Sequence, residues 1–414
     1  MRKALPRRRH IHGGKAMNTL KCEVLVVGAG PAGGMAAKSC AEKGIDTILI
    51  EKKPEIGAPL RCAEGVSKKM FKEIGVEPKP EWIRADMKGA VIRSPDGTSF
   101  QLDESKAGAE VGYVLERHLF DKGISKLAAE AGAKLYLRTW MTGPIKEDGK
   151  IVGAHCMSMG EPLDIYCNCI VGADGIESQV GRWCGIDTNL KLNDIEPCIQ
   201  YRMAGCECSM DFCEFILGRS VAPGGYLWIF PKGDGVANVG IGIAGTFAKD
   251  GVRPKQFLDK FIAEDPRFKH AQILEIDAGF DSTCPGLEGG YSTDNVLLVG
   301  DSARLIDPLT GGGIGHACVS GMYAGEVLAE CKKKGDYSAA ALKAYDKKIR
   351  NRMEDGLYRD WMAKEKLCEL DDETINELVK IMSTADIEHV NVQNLLIVIK
   401  EKFPELVKDF EDLI

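Results

Sequence analysis

Short apolar runs recur along the chain, each bounded by glycine, proline or charged residues. Val24 to Val27 is a continuous β-branched run with the look of a strand buried on both faces. Thr47 to Ile50, Cys169 to Val171 and Val296 to Val299 repeat that pattern. Helical spacing fills about 32–43, and Gly44 stands where a helix C′ glycine is expected. Helices are also predicted over 67–74, from Tyr113 through Ala129, over 254–264 and over about 315–333. Residues 88–102 alternate apolar and polar around Pro95-Asp96-Gly97, which predicts a hairpin. Strands are expected over 133–138 and 151–157. Residues 198–218 and 226–243 are rich in alternating strand sequence. From Ser338 onward the pattern turns helical, with Leu342, Tyr345, Ile349 and Met353 on one face. Asp371 or Asp372 caps a further helix, and Leu395 to Ile399 is a short apolar run in another. The chain therefore reads as α/β (α+β overall). A Rossmann-like domain is split into 17–185 and 286–333. A strand-rich, antiparallel-sheet domain, 186–285, is inserted in it, and 334–414 is a C-terminal helical domain.

Composition narrows the class. With 414 residues, 44% hydrophobic and 28% charged, the chain can bury a large core in two or three domains. The net charge of −7 gives no reason to expect a nucleic-acid partner, and no apolar run reaches the length of a membrane span. Residues 1–16 differ: Arg2, Lys3, Arg7, Arg8, Arg9 and Lys15 make them strongly basic. They read as a disordered tag or upstream extension; a basic binding arm and a transit peptide are the alternatives, the second opposed by the lack of serine. The fifteen cysteines come without a secretory signal, which argues for free thiols in a reducing cytoplasm. Cys167-x-Cys169 and Cys206-x-Cys208 with Cys213 lack zinc or iron–sulfur spacing, so no metal is expected.

Candidate chemistry begins after the first strand. Gly28, Gly30 and Gly33 fit G-x-G-x-x-G between a strand and a helix, and Glu51 ends the second strand 23 residues on. The first glycine allows the tight turn, the second lets a pyrophosphate approach the backbone, and the third lets helix and strand pack closely. Glu51 is placed to accept from both ribose hydroxyls, which argues against a 2′-phosphate. The motif by itself leaves NAD and FAD open. An ordinary βαβ turn with packing glycines is the plain alternative.

Two further motifs stand at large separations: Gly172-Ala-Asp174-Gly175-x-x-Ser178, and Gly300-Asp301 followed by Pro308 and Gly311-Gly-Gly313. With the first they resemble the flavin fold of aromatic hydroxylases such as p-hydroxybenzoate hydroxylase. Pro223-x-x-Tyr226-x-Trp228-x-Phe230-Pro231 resembles a pattern of the geranylgeranyl reductase family, and Arg61-Cys62-Ala63-Glu64-Gly65 resembles that family's cysteine loop beside the flavin. The resemblance covers about 17–400. Archaeal members reduce the isoprenoid chains of digeranylgeranylglycerophospholipids, and plant and bacterial members act on the chlorophyll pathway; the thiol content and short C-terminal part fit the archaeal lipid enzyme better.

The resemblance implies FAD as cofactor. The contacts it implies are Gly28, Gly30, Ala32, Gly33 and Glu51 at the ADP end, Arg61, Cys62, Ala63 and Gly65 in the cysteine loop, and Arg117, Asp301, Gly313 and Ile314 along the ribityl chain and flavin. Asp174 either supports the pyrophosphate loop or is a plain turn residue. Tyr226, Trp228 and Phe230 alternate on one strand, which Pro231 is expected to end, and share a face. That face suits a long apolar substrate, or is simply core. Tyr226 and Trp228 are carried as catalytic candidates with Cys62, which donates a proton, tunes the flavin or is a buried thiol. His316 and Tyr226 are weaker proton donors. Expected partners are an isoprenoid lipid, with NAD(P)H or ferredoxin as electron donor, and the expected location is cytoplasmic with peripheral membrane contact. A flavin monooxygenase is the main alternative. A quinone-linked dehydrogenase and a non-enzymatic FAD scaffold are weaker ones.

Overall fold

Val24–Val27 is buried throughout and lies inside a six-stranded sheet. The computed structural model describes residues 18–103, 112–248, 251–384 and 400. The basic segment 1–16 and the apolar run Leu395 to Ile399 lie outside them. The sheet runs Ser292–Thr293, Val296–Leu298, Cys169–Gly172, Val24–Val27, Thr47–Glu51, Lys134–Leu137. All neighbours pair in parallel except the short first strand. Thr47–Glu51 flanks Val24–Val27 on one side and Cys169–Gly172 on the other, so strand order reverses there. Val27 pairs with both Ile50 and Gly172, which brings the loops after the three strands out at one carboxyl edge, where open α/β sheets bind ligands.

Helix Pro31–Glu42 and helix Ile314–Lys334 both begin at that edge, and they cross very closely. A Cβ on Gly321 would stand 2.3 Å from the Ala32 carbonyl oxygen, and one on Gly325 would stand 2.4 Å from Ser39 Oγ. Small residues thus let the two helix starts converge. Gly321→Val should destabilise the protein by about 1–3 kcal/mol through overpacking, read as a lowered denaturant midpoint.

The second large sheet has seven strands in the order Gln272–Ser282, Ile195–Ala204, Val236–Gly242, Leu227–Gly233, Phe212–Ile216, Gly89–Arg93, Ser99–Asp103. The expected hairpin is present, and its first strand pairs in parallel with Phe212–Ile216. Segment 17–185 therefore gives strands to both large sheets. A core of Tyr201, Ile229, Val239, Ile241 and Leu258 covers one face of the second sheet, where helix Pro254–Glu264 packs. The other face looks toward the cysteine loop.

Two local expectations change. Tyr113 to Leu115 was expected to open a helix, but Gly112–Leu115 is a strand between Gly65–Ser67 and Ile83–Asp86. The β-branched and aromatic residues there gain cross-strand partners, and the helix begins at Arg117. Pro231 does not end its strand: Leu227–Gly233 continues, with a register shift between Pro231 and Gly233 that accommodates the missing donor.

The C-terminal part is helical as far as it is described. Leu342, Tyr345, Ile349 and Met353 are all buried. Asp371 caps helix Asp372–Thr384 by accepting from Thr374 N at 2.9 Å. All fifteen cysteines are free.

Candidate active site

The glycines of the first motif divide by what surrounds them. Gly28 has φ +107°, and a Cβ on it would stand 2.3 Å from the Ala173 carbonyl oxygen. A Cβ on Gly33 would stand 1.8 Å from the Gly28 carbonyl oxygen. A Cβ on Gly30, between them, would meet nothing within 4 Å. Two glycines are thus required by the protein's own backbone, and the third opens space at the helix N-terminus. Ala32 is buried in the first turn of the helix, beneath Gly300. Glu51 accepts from Ala29 N and Lys53 N, both at 2.9 Å, one on each carboxylate oxygen. Each oxygen keeps a lone pair for a hydroxyl. Asp174 accepts from Val180 N at 2.9 Å through Oδ2, which makes it a turn residue, while its buried Oδ1 has no partner.

The turn after Val296–Leu298 brings Asp301 to the same edge. Burial raises the Asp301 carboxyl, against the pull of Arg117 and Arg304. Among the described residues no side chain donates a hydrogen bond to it. Arg304, buried at φ +59°, holds this turn to the Gly172–Ser178 loop through the Ile176 and Thr188 carbonyls. Asp307 Oδ1 accepts from Leu309 N and Thr310 N, folding the 307–312 turn onto itself. Gly313 caps helix Ile314–Lys334, and its absent Cβ would stand 3.5 Å from Asp301 Oδ1. Two helix N-termini, the open position at Gly30 and an Asp301 carboxyl without a side-chain donor suit a ligand with an anionic centre and hydroxyls on either side of it, as FAD has.

The cysteine loop is fastened by a residue the sequence reading passed over. Glu64 has no solvent exposure and takes φ +75°. Its Oε1 accepts from Arg117 N at 2.8 Å. Its Oε2 accepts from Lys232 Nζ at 2.6 Å, Arg202 Nη2 at 2.8 Å and Asn238 Nδ2 at 2.8 Å. Lys232 is 1% exposed and also reaches Glu116 and the Leu115 carbonyl. Three strands of the second sheet thereby grip a loop that leaves the first. Gln200 Nε2 donates to the Cys62 carbonyl at 3.0 Å, and Asn238 donates to that of Ala63 at 3.2 Å. Cys62 Sγ accepts from Glu64 N at 3.2 Å, and burial raises its thiol while the Arg117 guanidinium opposes the rise. Arg117 Nε faces Asp121 at 3.4 Å. Arg61 is exposed and leans on the second sheet, 3.6 Å from where a Gly279 Cβ would be.

Tyr226, Trp228 and Phe230 face this loop and the glycine turn. Tyr226 Oη donates to the Thr310 carbonyl. Trp228 Nε1 donates to Gln200 Oε1 at 2.9 Å, one link from Cys62. The Phe230 ring lies against Gly65, where a Cβ would come within 2.6 Å of it. Edge-on contacts join Tyr226 to Trp228 and Phe215 to Phe230. The trio is thus an aromatic wall opposite the glycine turn, and Trp228 is also part of what positions the cysteine loop.

The chain is similar to known proteins over most of its length. Residues 21–196 match the FAD binding domain model, and residues 194–280 match that of the geranylgeranyl reductase catalytic domain. A digeranylgeranylglycerophospholipid reductase of Thermoplasma volcanium is 44% identical over 95% of this chain and 99% of its own length. The chain belongs to the geranylgeranyl reductase family. A second reductase of that name, from Methanocella arvoryzae, is also 44% identical, over 95% of this chain and 99% of its own length. A crystal structure of a geranylgeranyl bacteriochlorophyll reductase-like protein from Thermoplasma acidophilum superposes with TM-score 0.92 at 43% identity, covering 96% of this chain and 100% of that one. A flavin-dependent brominase, TM-score 0.71 at 18% identity over 94% of this chain and all of its own, shares the fold. As a family member the chain is an FAD-dependent oxidoreductase, and the monooxygenase alternative is not favoured.

This reductase also carries acids that sequence patterning did not single out. Glu196 and Asp281 sit beside Tyr226, closely surrounded yet each with some surface still exposed. Glu196 Oε1 lies 2.7 Å from where a Gly225 Cβ would stand, and Asp281 Oδ2 lies 3.7 Å from the same point on Gly311. Burial, then the opposing Asp281 carboxylate, pushes Glu196 up to about 8 against the pull of Lys364. Burial, then the charge of Asp301, pushes Asp281 up to about 7 against Cys198 and Arg117. His316 is placed less well for acid work. Its Nδ1 meets the Leu305 carbonyl at 3.1 Å, and burial lowers its pKa so that it stays neutral.

Proposed function

We propose that this protein is an FAD-dependent reductase that saturates isolated C=C bonds in the geranylgeranyl chains of digeranylgeranylglycerophospholipids. The observation that carries the reading is full-length likeness to reductases of that name, 44% identical over 95% of the chain. The aromatic wall opposite the glycine turn supports it, because a long apolar chain finds both an apolar face and a cofactor edge there. When bound and reduced, FAD supplies the hydride. The residues proposed to hold it are Gly28, Gly30, Ala32, Gly33 and Glu51 at the ADP end, with Arg117 and Asp301 along the ribityl chain. Gly313 and Ile314 offer helix N–H groups to the flavin edge, and Arg61, Cys62, Ala63 and Gly65 form the loop beside the ring.

The protein's own part is positional. An unactivated alkene develops no oxyanion to stabilise, so the site works by holding the chain still in a dry, apolar space. Tyr226, Trp228 and Phe230 would line the isoprenoid path, with Trp228 fixing the Cys62 loop through Gln200. The raised Cys62 thiol stays neutral, so the loop brings no thiolate to the flavin pocket. The enzyme would meet its lipid from the cytoplasmic membrane surface, as a peripheral protein. Among the described residues no helix is long and apolar enough to cross a membrane. NAD(P)H or a ferredoxin-type protein would supply electrons. The four-part division into 1–16, 17–185 with 286–333, 186–285 and 334–414 is proposed on the same footing.

The test is a single turnover. The purified protein is reduced anaerobically with dithionite and then mixed with geranylgeranyl lipid. Flavin re-oxidation with a product mass gain of about two per double bond is the expected result; a flavin that stays reduced overturns the reading.

A further inference from the structure

Glu196 and Asp281 stand in direct cross-strand register on strands Ile195–Ala204 and Gln272–Ser282. Opposed residues of an antiparallel pair share one face with their Cβ atoms about 5 Å apart, and like charges so placed repel. The shared face is the one that carries Cys198 and Gln200 toward the cysteine loop. Cys198 lies two residues along from Glu196, and its thiol donates to Asp281 Oδ2 at 3.8 Å. Asp281 also borders the glycine turn at Gly311, beside the Tyr226 hydroxyl. Two carboxyl groups at one point of an apolar wall, with no cation between them, sit together only when protonated.

We propose that Asp281 is the acid that protonates the substrate alkene and that Glu196 keeps it loaded. The proposal rests on the reductase reading above. The reaction then balances. One alkene carbon takes hydride from the reduced flavin, which is oxidised by two electrons. The other carbon takes the proton from the Asp281 carboxyl, the π bond is consumed, and Asp281 is left as carboxylate. Glu196 passes its own proton across the strand pair. Lys364, buried beside Glu196 and paired with half-exposed Glu365, leads outward to solvent. The other donors near the wall are less available. The Tyr226 hydroxyl is held on the Thr310 carbonyl, His316 is neutral, and the Cys62 thiol is buried and raised.

The groups facing this pair come from five elements. Cys198 lies on the strand of Glu196, and Tyr226 stands before Leu227–Gly233. Asp301 and Asp307 lie in the turns after Val296–Leu298, Arg117 starts its helix, and Lys364 and Cys368 come from helix Asp355–Glu369. Tyr226 stays protonated, because burial and then the surrounding acids raise it far above its ordinary range.

The experiment mixes dithionite-reduced, FAD-loaded protein with geranylgeranyl lipid in an anaerobic stopped flow, across pH. Asp281→Asn, an isosteric change, should slow flavin re-oxidation about 100-fold or more while FAD content and dithionite reduction match the wild type. In the wild type the rate should fall on the alkaline side of about 7 as Asp281 loses its proton. Asp281 owes its rise to burial and to Asp301, so Glu196→Gln should leave that fall at about 7 and slow only repeated turnover, which needs Asp281 reloaded. Infrared titration of the substrate-free protein gives a readout apart from turnover. Two protonated-carboxyl bands should persist toward neutral pH: Asp281→Asn should lose one and let the remaining Glu196 band titrate at lower pH, and Glu196→Gln should keep the Asp281 band titrating at about 7. Wild-type re-oxidation by Asp281→Asn, or no such band, overturns the proposal. A wild type that never re-oxidises with lipid sinks the reductase reading and the acid's substrate with it, and the infrared bands then report the protonated pair alone.

Discussion

Glu64→Ala is expected to cost about 3–5 kcal/mol of stability, the range found when one partner of a buried charge network is removed. The reason is what remains. Lys232 is 1% exposed and loses its 2.6 Å partner, keeping only Glu116 at 3.1 Å and the Leu115 carbonyl. Arg202 and Asn238 lose their contacts on the same oxygen, and the Arg117 amide loses its acceptor. With the network gone, nothing offsets the strain that the Cβ already carries at φ +75°. Glu64→Gln separates the two effects, because it keeps the backbone and side-chain size and removes only the charge. Denaturant unfolding of the FAD-loaded protein measures both. A loss below about 1 kcal/mol in either variant would show that the network is not what holds the loop. The cysteine loop should come free of the second sheet, so flavin affinity should fall along with stability.

Gly33→Ala and Gly30→Ala should fail in opposite ways, although both glycines belong to one motif. At Gly33 the new Cβ would stand 1.8 Å from the Gly28 carbonyl oxygen, so the turn or the helix must move and the apoprotein itself should unfold easily. At Gly30 nothing lies within 4 Å, so the apoprotein should keep its wild-type unfolding midpoint. The methyl instead takes room a pyrophosphate needs. A clash of about 1–3 kcal/mol corresponds to roughly 5- to 150-fold weaker FAD binding. Flavin titration beside thermal unfolding of the apoprotein checks both. Equal FAD affinity for Gly30→Ala and the wild type would remove the phosphate from that position.

The parts of the site legible in the sequence are those built from neighbouring residues. Gly28, Gly30, Gly33, Glu51 and the Gly311–Gly315 turn announce themselves because spacing along the chain is their function. The alternation of Tyr226, Trp228 and Phe230 likewise fixes a shared face. Glu64 could not be read this way, since its partners Arg202, Lys232 and Asn238 lie 138 to 174 residues away. The one local sign was Lys232, a cation directly after the apolar run Leu227 to Pro231, where a solvated lysine is out of place. The Glu196–Asp281 pair left no sign either, because cross-strand register is decided by the sheet and not by either strand. Tyr113 to Leu115 misled for a related reason. Helical spacing from Arg117 onward extends backward on paper, and only the neighbours Gly65–Ser67 and Ile83–Asp86 make those residues a strand.

The hairpin of Gly89–Arg93 and Ser99–Asp103 has a consequence for inheritance. It is encoded among the nucleotide-binding strands yet completes the sheet that carries the aromatic wall. A gene cut near residue 190 would leave one product with an orphaned, edge-exposed hairpin and the other with a sheet short of its last two strands, both open to edge-to-edge aggregation. The cofactor half and the substrate half therefore cannot be traded between relatives as cassettes. Change in this lineage has to come by substitution within the face of the wall, with the two sheets moving through evolution as one unit.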